Sequence, residues 1–348
     1  MRDQLLRRFP HLAKLPPAGV YVVGGAVRDL VLSLDPADAD LACVDALDCA
    51  RRLGRKIITL GKDHLSAYRV VDGEHVYDFA PLLDGSIDRD LARRDFTVNA
   101  MAVELAAGAL LDPFDGRGDL ERRVVRMVDA TNFDHDPLRL LKAVRMAVRL
   151  EFDIDTATLA AIRERAASVT SVAAERLGTE LEMIFGAGAF RRALTLLHET
   201  ALDVPLFGEA LDPARYHVDD LTPAAAYALL LRNPREVAER FRWSDTLLRE
   251  VTTLQRLLDD PSLFALYDAG RDLARQVPAL LRALGRDDRI EMPDFATRAL
   301  LTGDEIASIL RERPGPRIGQ LKRALLEAQL RGEVRTREEA VKWLVASC

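Results

Sequence analysis

The pattern of apolar and polar positions changes once along the chain, near residue 128. Before it, short apolar runs of strand length alternate with helical stretches. Val20–Val23 predicts a buried strand, and the stretch from Gly24 to Ser33 predicts a turn and a helix. From Asp136 onward the spacing of Ala, Leu, Arg and Glu is helical and convincing strands disappear. The pattern therefore predicts an α+β head followed by a long all-α body.

Turn residues divide the head further. Asp72-Gly73-Glu74 separates two β-rich runs, which predicts a hairpin. Strands are predicted at residues 41–44, 66–71, 75–80, 100–104 and 109–111. In the body, loops between helices are predicted at Pro205, Pro213, Pro223 and residues 314–316.

Composition bounds the class of protein. At 348 residues the chain is long enough for two or three domains with real cores. Apolar residues make up 49% and charged residues 30%, which excludes wholesale disorder. The 49 Lys and Arg against 55 Asp and Glu give a net charge of −6. This balance argues against a protein that coats nucleic acid by bulk charge, although it leaves room for a local basic groove.

Cysteine usage and apolar runs predict a reduced, cytoplasmic setting without a membrane. Cys43, Cys49 and Cys348 form no disulfide framework, and no CxxC pair suggests zinc. The charged N-terminal stretch lacks the apolar core of a signal peptide. No apolar run approaches the roughly 20 residues that span a bilayer.

Asp38 and Asp40 are the first candidates for chemistry. On a strand their carboxylates point to the same side, where they repel each other unless a cation lies between them. A pair of magnesium ions is the usual solution in enzymes that move a phosphoryl or nucleotidyl group. An isolated Asp-x-Asp is more often a solvated loop, but its place after a glycine-led turn favours a metal site.

That turn is Gly24-Gly25-Ala26-Val27-Arg28-Asp29. Because glycine lacks a Cβ, the backbone can approach phosphate oxygens there, and Arg28 adds positive charge. The alternative is a packing turn between strand and helix. The third glycine of a dinucleotide-binding fingerprint is missing.

Asp78 lies inside an otherwise apolar strand, so its carboxylate needs a partner. We predict that it joins Asp38 and Asp40 in catalysis, as a third metal ligand or as the base for the attacking hydroxyl. The alternative left open is a structural salt bridge to an arginine such as Arg69.

A third constellation runs from Arg93 to Met101. Asp95 and Asn99 are four residues apart, which predicts neighbours on one helix face. Together they suit a ribose hydroxyl, while Arg94 suits a phosphate or a base. The alternative is that Asp95 caps a helix and Arg93 is solvated.

These motifs, in this order, resemble the class II tRNA nucleotidyltransferase and poly(A) polymerase family. Further matching segments are residues 111–116, 136–145, 175–181 and 302–319. The resemblance implies a DNA-polymerase-beta-like nucleotidyltransferase head followed by an elongated all-α neck, body and tail. It implies a head over residues 1–130, a neck with the nucleotide template and RNA-binding motifs over 131–205, and a tRNA-binding body and tail over 206–348.

The family builds or repairs the 3′-terminal CCA of tRNA, or adds A tails to RNA. The resemblance therefore implies tRNA as partner, CTP and ATP as substrates and two Mg²⁺ ions as cofactor. The primer 3′-hydroxyl would attack the α-phosphate in line, with pyrophosphate leaving. By resemblance, Asp38 and Asp40 hold the metals. The residues implied to contact the incoming nucleotide are Gly24, Gly25, Arg28, Arg94, Asp95, Asn99, Asp136 and Arg139.

Asp136 and Arg139 would choose the base. Three residues apart on a helix, both can face one edge of a ring. The carboxylate accepts from the exocyclic amine of cytosine or adenine and the guanidinium donates to the adjacent ring nitrogen, whereas uracil and guanine present the opposite order. The alternative is an intrahelical Asp136–Arg139 salt bridge that only stabilises the helix.

The chain departs from the family pattern at several positions. His135 stands where Glu is usual, and Lys142 where Arg is common. Residues 80–91 are short for a region where CCA-adding relatives often carry a flexible loop associated with adding the final A. An enzyme restricted to CC addition is therefore a second possibility.

Basic residues form two groups. Lys142, Arg145 and Arg149 continue from Arg139 at helical spacing and predict an RNA-binding stripe. A second cluster comprises Arg311, Arg313, Arg317, Lys322 and Arg323. For either group the alternative is a solvated helix face. With aromatic residues at 6%, recognition of RNA shape and backbone is favoured over base stacking.

Two other functions compete with tRNA nucleotidyl transfer. A poly(A) polymerase shares the catalytic head, but the chain shows no extended basic segment for holding arbitrary RNA. A catalytically inactive RNA-binding module is disfavoured because both Asp38 and Asp40 are present.

Overall fold

The computed structural model describes residues 1–54, 56–60 and 67–347. They form two compact units. The first combines residues 1–184 with 193–211, and the second combines 185–192 with 212–348. All strands named below lie in the first unit, and the second consists of helices and their connections.

The first unit is built on a mixed β-sheet. Its strands are β1 (Val20–Val23), β2 (Asp38–Cys43), β3 (Ile57–Leu60), β4 (Ala67–Asp72), β5 (His75–Pro81), β6 (Ala102–Glu104) and β7 (Leu110–Leu111). They are arranged in the order β3-β4-β5-β2-β1-β6-β7, and β2 pairs with β5 in parallel while the other pairs are antiparallel. A separate parallel pair joins β8 (Val124–Val125) to β9 (Asp153–Ile154).

The predicted strands are confirmed with small shifts of their ends. The hairpin at Asp72 to His75 has the predicted turn, and the predicted first residue of its first strand, Ser66, lies outside the described residues. Strand β2 begins at Asp38, three residues before the predicted start, so both carboxylates lie in the strand itself. The expectation that strands end before Asp136 was wrong at β9, where two residues pair with β8.

Helices occupy most of the remaining chain. Up to residue 211 they are α1 (Arg2–Arg8), α2 (Gly25–Val31), α3 (Ala46–Leu53), α4 (Ile87–Ala92), α5 (Gly116–Arg122), α6 (Thr131–His135), α7 (Leu138–Leu150), α8 (Thr156–Arg165), α9 (Ala174–Phe185), α10 (Phe190–Glu199) and α11 (Asp203–Phe207). Beyond it they are α12 (Pro223–Leu230), α13 (Pro234–Phe241), α14 (Asp245–Asp259), α15 (Leu263–Ala269), α16 (Arg271–Ala274), α17 (Val277–Ala283), α18 (Gly303–Leu310), α19 (Pro316–Leu330) and α20 (Arg337–Ala346). No helix among the described residues is long and apolar enough to cross a membrane.

Proline positions follow the chemistry of helix starts. Pro223 and Pro316 are the first residues of α12 and α19, and Pro213 begins a short 3₁₀ helix, so the loops predicted there end at these prolines. Pro205 was predicted in a loop and instead lies in the first turn of α11. A proline is tolerated there because its missing N–H would have no partner in the helix.

A buried carboxylate joins the sheet to the helices that follow it. Asp119 on α5 is 2% exposed and accepts a hydrogen bond from the Thr97 hydroxyl at 2.6 Å. Arg122 and Arg126 pair with the same carboxylate at 2.7 Å. Because a buried carboxylate is tolerated only when paired and hydrogen-bonded, this cluster fixes the segment around Thr97.

The start of α5 packs directly on that segment. Asp112 accepts hydrogen bonds from the backbone N–H groups of Gly116 and Arg117 at 2.7 and 2.9 Å. A Cβ on Gly116 would lie 2.3 Å from the carbonyl oxygen of Thr97. Residues 111–116, which match the family motif, therefore hold the turn that carries Asn99.

We expect Gly116→Ala to lower stability by about 2 kcal/mol or more, because Thr97 must move to make room for the methyl group. Gly319→Ala is the matched control. Gly319 lies in α19, and no atom lies near the position that a Cβ would take. Alanine there should therefore raise the free energy of unfolding by up to about 1 kcal/mol. Thermal melting of both variants tests this, and equal melting temperatures would contradict it.

Candidate active site

One cavity of about 660 Å³ in the first unit gathers nearly all predicted site residues. Two of the three predicted catalytic carboxylates border this cavity. Every residue predicted to bind nucleotide and all three residues predicted to bind RNA border it as well. These residues are Gly24, Gly25, Arg28, Asp38, Asp40, Arg94, Asp95, Asn99, Asp136, Arg139, Lys142, Arg145 and Arg149.

Strand geometry presents the catalytic pair to the cavity. Asp38 and Asp40 line the cavity, whereas Ala39 and Leu41 between and beyond them alternate to the opposite face and are buried. The surrounding protein removes hydration from Asp40 and raises the pKa of its carboxyl to about 6. Repulsion from Asp38 and Asp78 acts in the same direction, and Arg94 opposes it. The pair is thus a concentration of negative charge that Arg94 only partly offsets.

Asp78, the third predicted catalytic residue, is not among the described residues that line the cavity. It lies beside Asp40 in the parallel register of β2 and β5. Arg69 of β4 donates from Nε to one Asp78 oxygen at 2.8 Å and from Nη2 to the other at 2.6 Å. The salt bridge that the sequence left open is therefore formed, and the catalytic role of Asp78 stays a prediction.

Gly24 brings the backbone close to the charged groups. Its φ of 71° is in the left-handed region, which favours glycine. A Cβ there would lie 2.8 Å from Nη1 of Arg94 and 3.7 Å from a carboxylate oxygen of Asp40. Arg94 is oriented by Asp90, which accepts hydrogen bonds from its Nε and Nη2 at 3.2 and 3.1 Å.

A hydrogen-bonded chain links Arg28 to Asp95. Arg28, 7% exposed, donates to the side-chain oxygen of Asn99 at 2.8 Å, and Asn99 donates to Asp95 at 3.0 Å. Asp95 and Asn99 are neighbours as predicted, but the prediction that one helix carries both was wrong. Thr97–Asn99 is a single 3₁₀ turn, and Asp95 precedes it. The turn is tied to later residues, because the Thr97 N–H donates to the carbonyl of Arg126 and its hydroxyl donates to Asp119.

Asp136 and Arg139 also border the cavity, but not from one helix. Asp136 follows α6 with extended backbone, and α7 begins at Leu138. The alternative of an Asp136–Arg139 salt bridge is not what forms. Asp136 pairs with Arg176 at 2.9 Å, and Arg139 donates to the carbonyl of Asn132 at 3.0 Å. The Asp136 side chain thus extends from a loop and that of Arg139 from a helix.

Helix α9 supports this side of the cavity. Arg176 and Glu180 are four residues apart and so share a face. Arg176 pairs with Asp136, and Glu180, 5% exposed, accepts from Arg145 at 2.6 Å. Arg145 is thus fixed by a carboxylate, whereas Lys142 and Arg149 have no ion-pair partner among the described residues.

Sequence reasoning missed Asn132. Its side-chain amide, in a residue 4% exposed, donates to the carbonyls of Ala92 and Arg94 at 2.9 and 3.0 Å. Its own carbonyl accepts from Arg139, so it joins the loop of Arg94 to α7. No sequence signal marks it. By contrast, Arg176 and Glu180 lie in residues 175–181, one of the segments that carry the family resemblance.

The donor set fits magnesium bound with substrate. Among residues 1–54, 56–60 and 67–347, no three His, Cys, Asp or Glu side chains come together as a metal cage. Mg²⁺ is commonly held by one or two carboxylates together with water and substrate phosphates, and Asp38 and Asp40 offer that arrangement.

Two protein-family models match the chain. One, described as the poly A polymerase head domain, matches residues 62–126. The other, described as a probable RNA- and SrmB-binding site of polymerase A, matches residues 151–213.

Curated relatives match over nearly their full length. The CC-adding tRNA nucleotidyltransferase of Geobacter sulfurreducens is 31% identical over 96% of this chain and 93% of its own. The chain belongs to the tRNA nucleotidyltransferase and poly(A) polymerase family. Another member, the A-adding tRNA nucleotidyltransferase of Deinococcus radiodurans, is 31% identical over 97% of each chain.

The family fold extends over the whole protein. A crystal structure of the Bacillus stearothermophilus CCA-adding enzyme in complex with CTP superimposes with a TM-score of 0.81 at 26% identity, covering 99% of this chain and 97% of that one. The predicted fold class, a nucleotidyltransferase head followed by helical segments, is confirmed.

We expect Asp40→Asn to raise stability in metal-free buffer at pH 7 to 8, by on the order of 1 kcal/mol after allowance for solvent screening. The raised pKa means that the ionised carboxylate costs folding free energy above about pH 6. The difference should shrink as the pH falls from about 6 and vanish below about 3, where Asp40 is protonated in both the folded and the unfolded chain.

Melting temperatures measured in EDTA test this expectation. Asp287→Asn, which removes the same charge from an exposed loop, is the control. A drop in the melting temperature of the Asp40 variant would show that Asp40 stabilises the metal-free fold.

Proposed function

We propose that this protein is a tRNA nucleotidyltransferase that transfers cytidylate from CTP and adenylate from ATP to the 3′ end of tRNA, releasing pyrophosphate. One observation carries the proposal. The carboxylate pair of β2, the glycine turn with Arg28 and Arg94, and the Asp136–Arg139 pair border a single cavity although they are separated along the chain. Their chemistry suits the metal ions, the triphosphate and the base of one bound nucleotide.

The sheet side of the cavity would carry out the transfer. Asp38 and Asp40 would hold magnesium ions, which when bound would activate the primer hydroxyl and screen the triphosphate. Gly24, Gly25, Arg28 and Arg94 would contact the triphosphate, because they place backbone and guanidinium groups beside the carboxylates. The Asp95–Asn99 pair would bind the ribose.

The helical side would select the base. The Asp136 carboxylate accepts hydrogen bonds and the Arg139 guanidinium donates them, which matches cytosine and adenine. Uracil or guanine would leave these groups unpaired, and unpaired buried polar groups discriminate strongly. Selection would thus need no nucleic-acid template.

Lys142 and Arg149 are available for RNA phosphates beside this site. We propose a division into a catalytic head over residues 1–130, a neck over 131–205 and a tRNA-binding body and tail over 206–348. The match of residues 151–213 to an RNA-binding family model supports part of this division. With tRNA as substrate, we propose that the protein acts in the cytoplasm.

Restriction to CC addition is the second candidate. The connection after β5 is short and folds directly into a 3₁₀ turn at Leu83–Gly85 and into α4, leaving no room for a long loop. Relatives at 31% and 30% identity from Geobacter sulfurreducens and Synechocystis are CC-adding enzymes.

The proposal is tested by incubating the protein with labelled CTP or ATP and with tRNA that lacks all of the 3′-terminal CCA, part of it or only the final A. We expect incorporation of C onto tRNA lacking all three nucleotides, followed by A. Termination after two C residues would identify the second candidate. A long tail of A would identify a poly(A) polymerase, and no incorporation at all would contradict nucleotidyl transfer.

In the same assay Asp40→Asn should abolish incorporation while tRNA affinity stays within about threefold of that of the wild type, because the variant removes a metal ligand and no RNA contact. Asp287→Asn should retain full activity. Retained turnover by the Asp40 variant would contradict the metal site.

Arg176→Ala tests base selection. Loss of the ion pair should free the Asp136 carboxylate to turn. The ratio of kcat/KM for CTP to kcat/KM for UTP should then fall about tenfold, which is a loss of roughly 1.4 kcal/mol in discrimination. The half-exposed pair should contribute no more than about 1 kcal/mol to stability.

Arg117→Ala, which removes an exposed pair with Glu121 away from the cavity, is the control. An Arg176 variant slowed equally with all four nucleotides would show that Arg176 has no part in base selection.

A further inference from the structure

Asn132 connects two parts of the cavity that are far apart along the chain. Its side-chain amide nitrogen donates hydrogen bonds to the carbonyl oxygens of Ala92 and Arg94 at 2.9 and 3.0 Å. Its backbone carbonyl accepts a hydrogen bond from Nη1 of Arg139 at 3.0 Å. One residue, 4% exposed, therefore contacts both the segment that carries Arg94 and the side chain of Arg139.

The contacts of the side chain require an amide. Helix α4 ends at Ala92, and carbonyl groups at the end of a helix have no partner within it. Both neighbours of the Asn132 side chain are carbonyl oxygens, which only accept, so the nitrogen of the amide must face them. An aspartate has the same shape but no N–H to donate there. Asparagine therefore holds α6 against the end of α4.

The two sides of this connection differ in their other supports. The segment of Arg94 is also held by the Val128 N–H, which donates to the carbonyl of Asp95 at 3.1 Å, and Asp90 orients the Arg94 guanidinium. Among the described residues, the Arg139 side chain has its hydrogen bond to Asn132 and no other. Loss of the Asn132 amide would thus leave Arg94 in place and let the carbonyl that holds Arg139 shift.

We propose that Asn132 is a positioning residue that sets the distance between Arg139, which selects the base, and Arg94, which contacts the triphosphate. The inference rests on the proposed function, because that function assigns the two arginines to opposite ends of one nucleotide. A ligand bound at two sites gains affinity from both only if their spacing matches its length. Asn132 fixes that spacing, although it is not among the described residues that line the nucleotide cavity.

The test compares a whole nucleotide with one of its parts. Isothermal titration calorimetry of the full chain measures the affinity for CTP and for tripolyphosphate, with Mg²⁺ and without tRNA. The variant N132A should bind CTP about tenfold more weakly than the wild type, because base and triphosphate are no longer held in register. It should bind tripolyphosphate within about twofold, since the segment of Arg94 keeps its other hydrogen bonds.

Two variants of the second unit serve as controls. N233A removes an exposed asparagine that donates to Glu236 at the start of α13. V251A removes buried methyl groups from α14 and so lowers stability without changing a residue of the first unit. Both should bind CTP within about twofold of the wild type.

A loss of CTP affinity smaller than about threefold in N132A would overturn the inference. An equal loss for CTP and tripolyphosphate would also overturn it, because Asn132 would then support the phosphate side alone. If N132A melts far below the wild type, N132S replaces it and is judged by the same comparison, since its hydroxyl can donate to only one of the two carbonyls.

The inference and the proposed function fail separately. Wild-type protein that incorporates neither C nor A would contradict the proposed function. Active wild-type protein whose N132A variant keeps its affinity for CTP would contradict only the role of Asn132.

Discussion

Repulsion among carboxylates on neighbouring strands is the constraint around which the site is built. Asp38, Asp40 and Asp78 lie at adjacent positions on β2 and β5, and hydrogen bonding of the sheet keeps them there. The fold provides Arg69 on one side and Arg94 near the other. What remains uncompensated is the negative charge that would bind a cation. In the proposed mechanism, a sheet that relieved the repulsion completely would hold no metal ion, so the remaining repulsion would be a condition of activity.

The helical side of the cavity is held by a different kind of contact. Asp136 and Arg145 are each oriented by an ion pair from α9, through Arg176 and Glu180. The half-exposed pair of Arg176 with Asp136 contributes little to stability, but it fixes the direction of the Asp136 carboxylate. The proposed selection of bases would need that fixed direction, because a mobile carboxylate could turn to suit the wrong ring. Both supporting side chains therefore come from one face of α9.

Much of the site was predictable because its signals are local. The period of a strand places Asp38 and Asp40 on one face, and the turn at Gly24 needs a residue without Cβ. Asp95 and Asn99 were predicted as neighbours and are neighbours, although a 3₁₀ turn rather than an α-helix brings them together. A spacing of four residues could not distinguish an α-helix from a 3₁₀ turn here, because the turn is held by a contact between Thr97 and the distant Asp119.

By itself the sequence determined the types of group available and their immediate neighbours, since strand period, turn chemistry and helix spacing act over a few residues. It also showed that the Asp78 carboxylate needs a partner, and the hairpin places Arg69 opposite it. Tertiary structure decided which charges meet. The pair of Asp136 with Arg176 joins residues 40 apart, and no local rule connects them. Ion pairing depends on where side chains converge in space, and only the packed chain settles that.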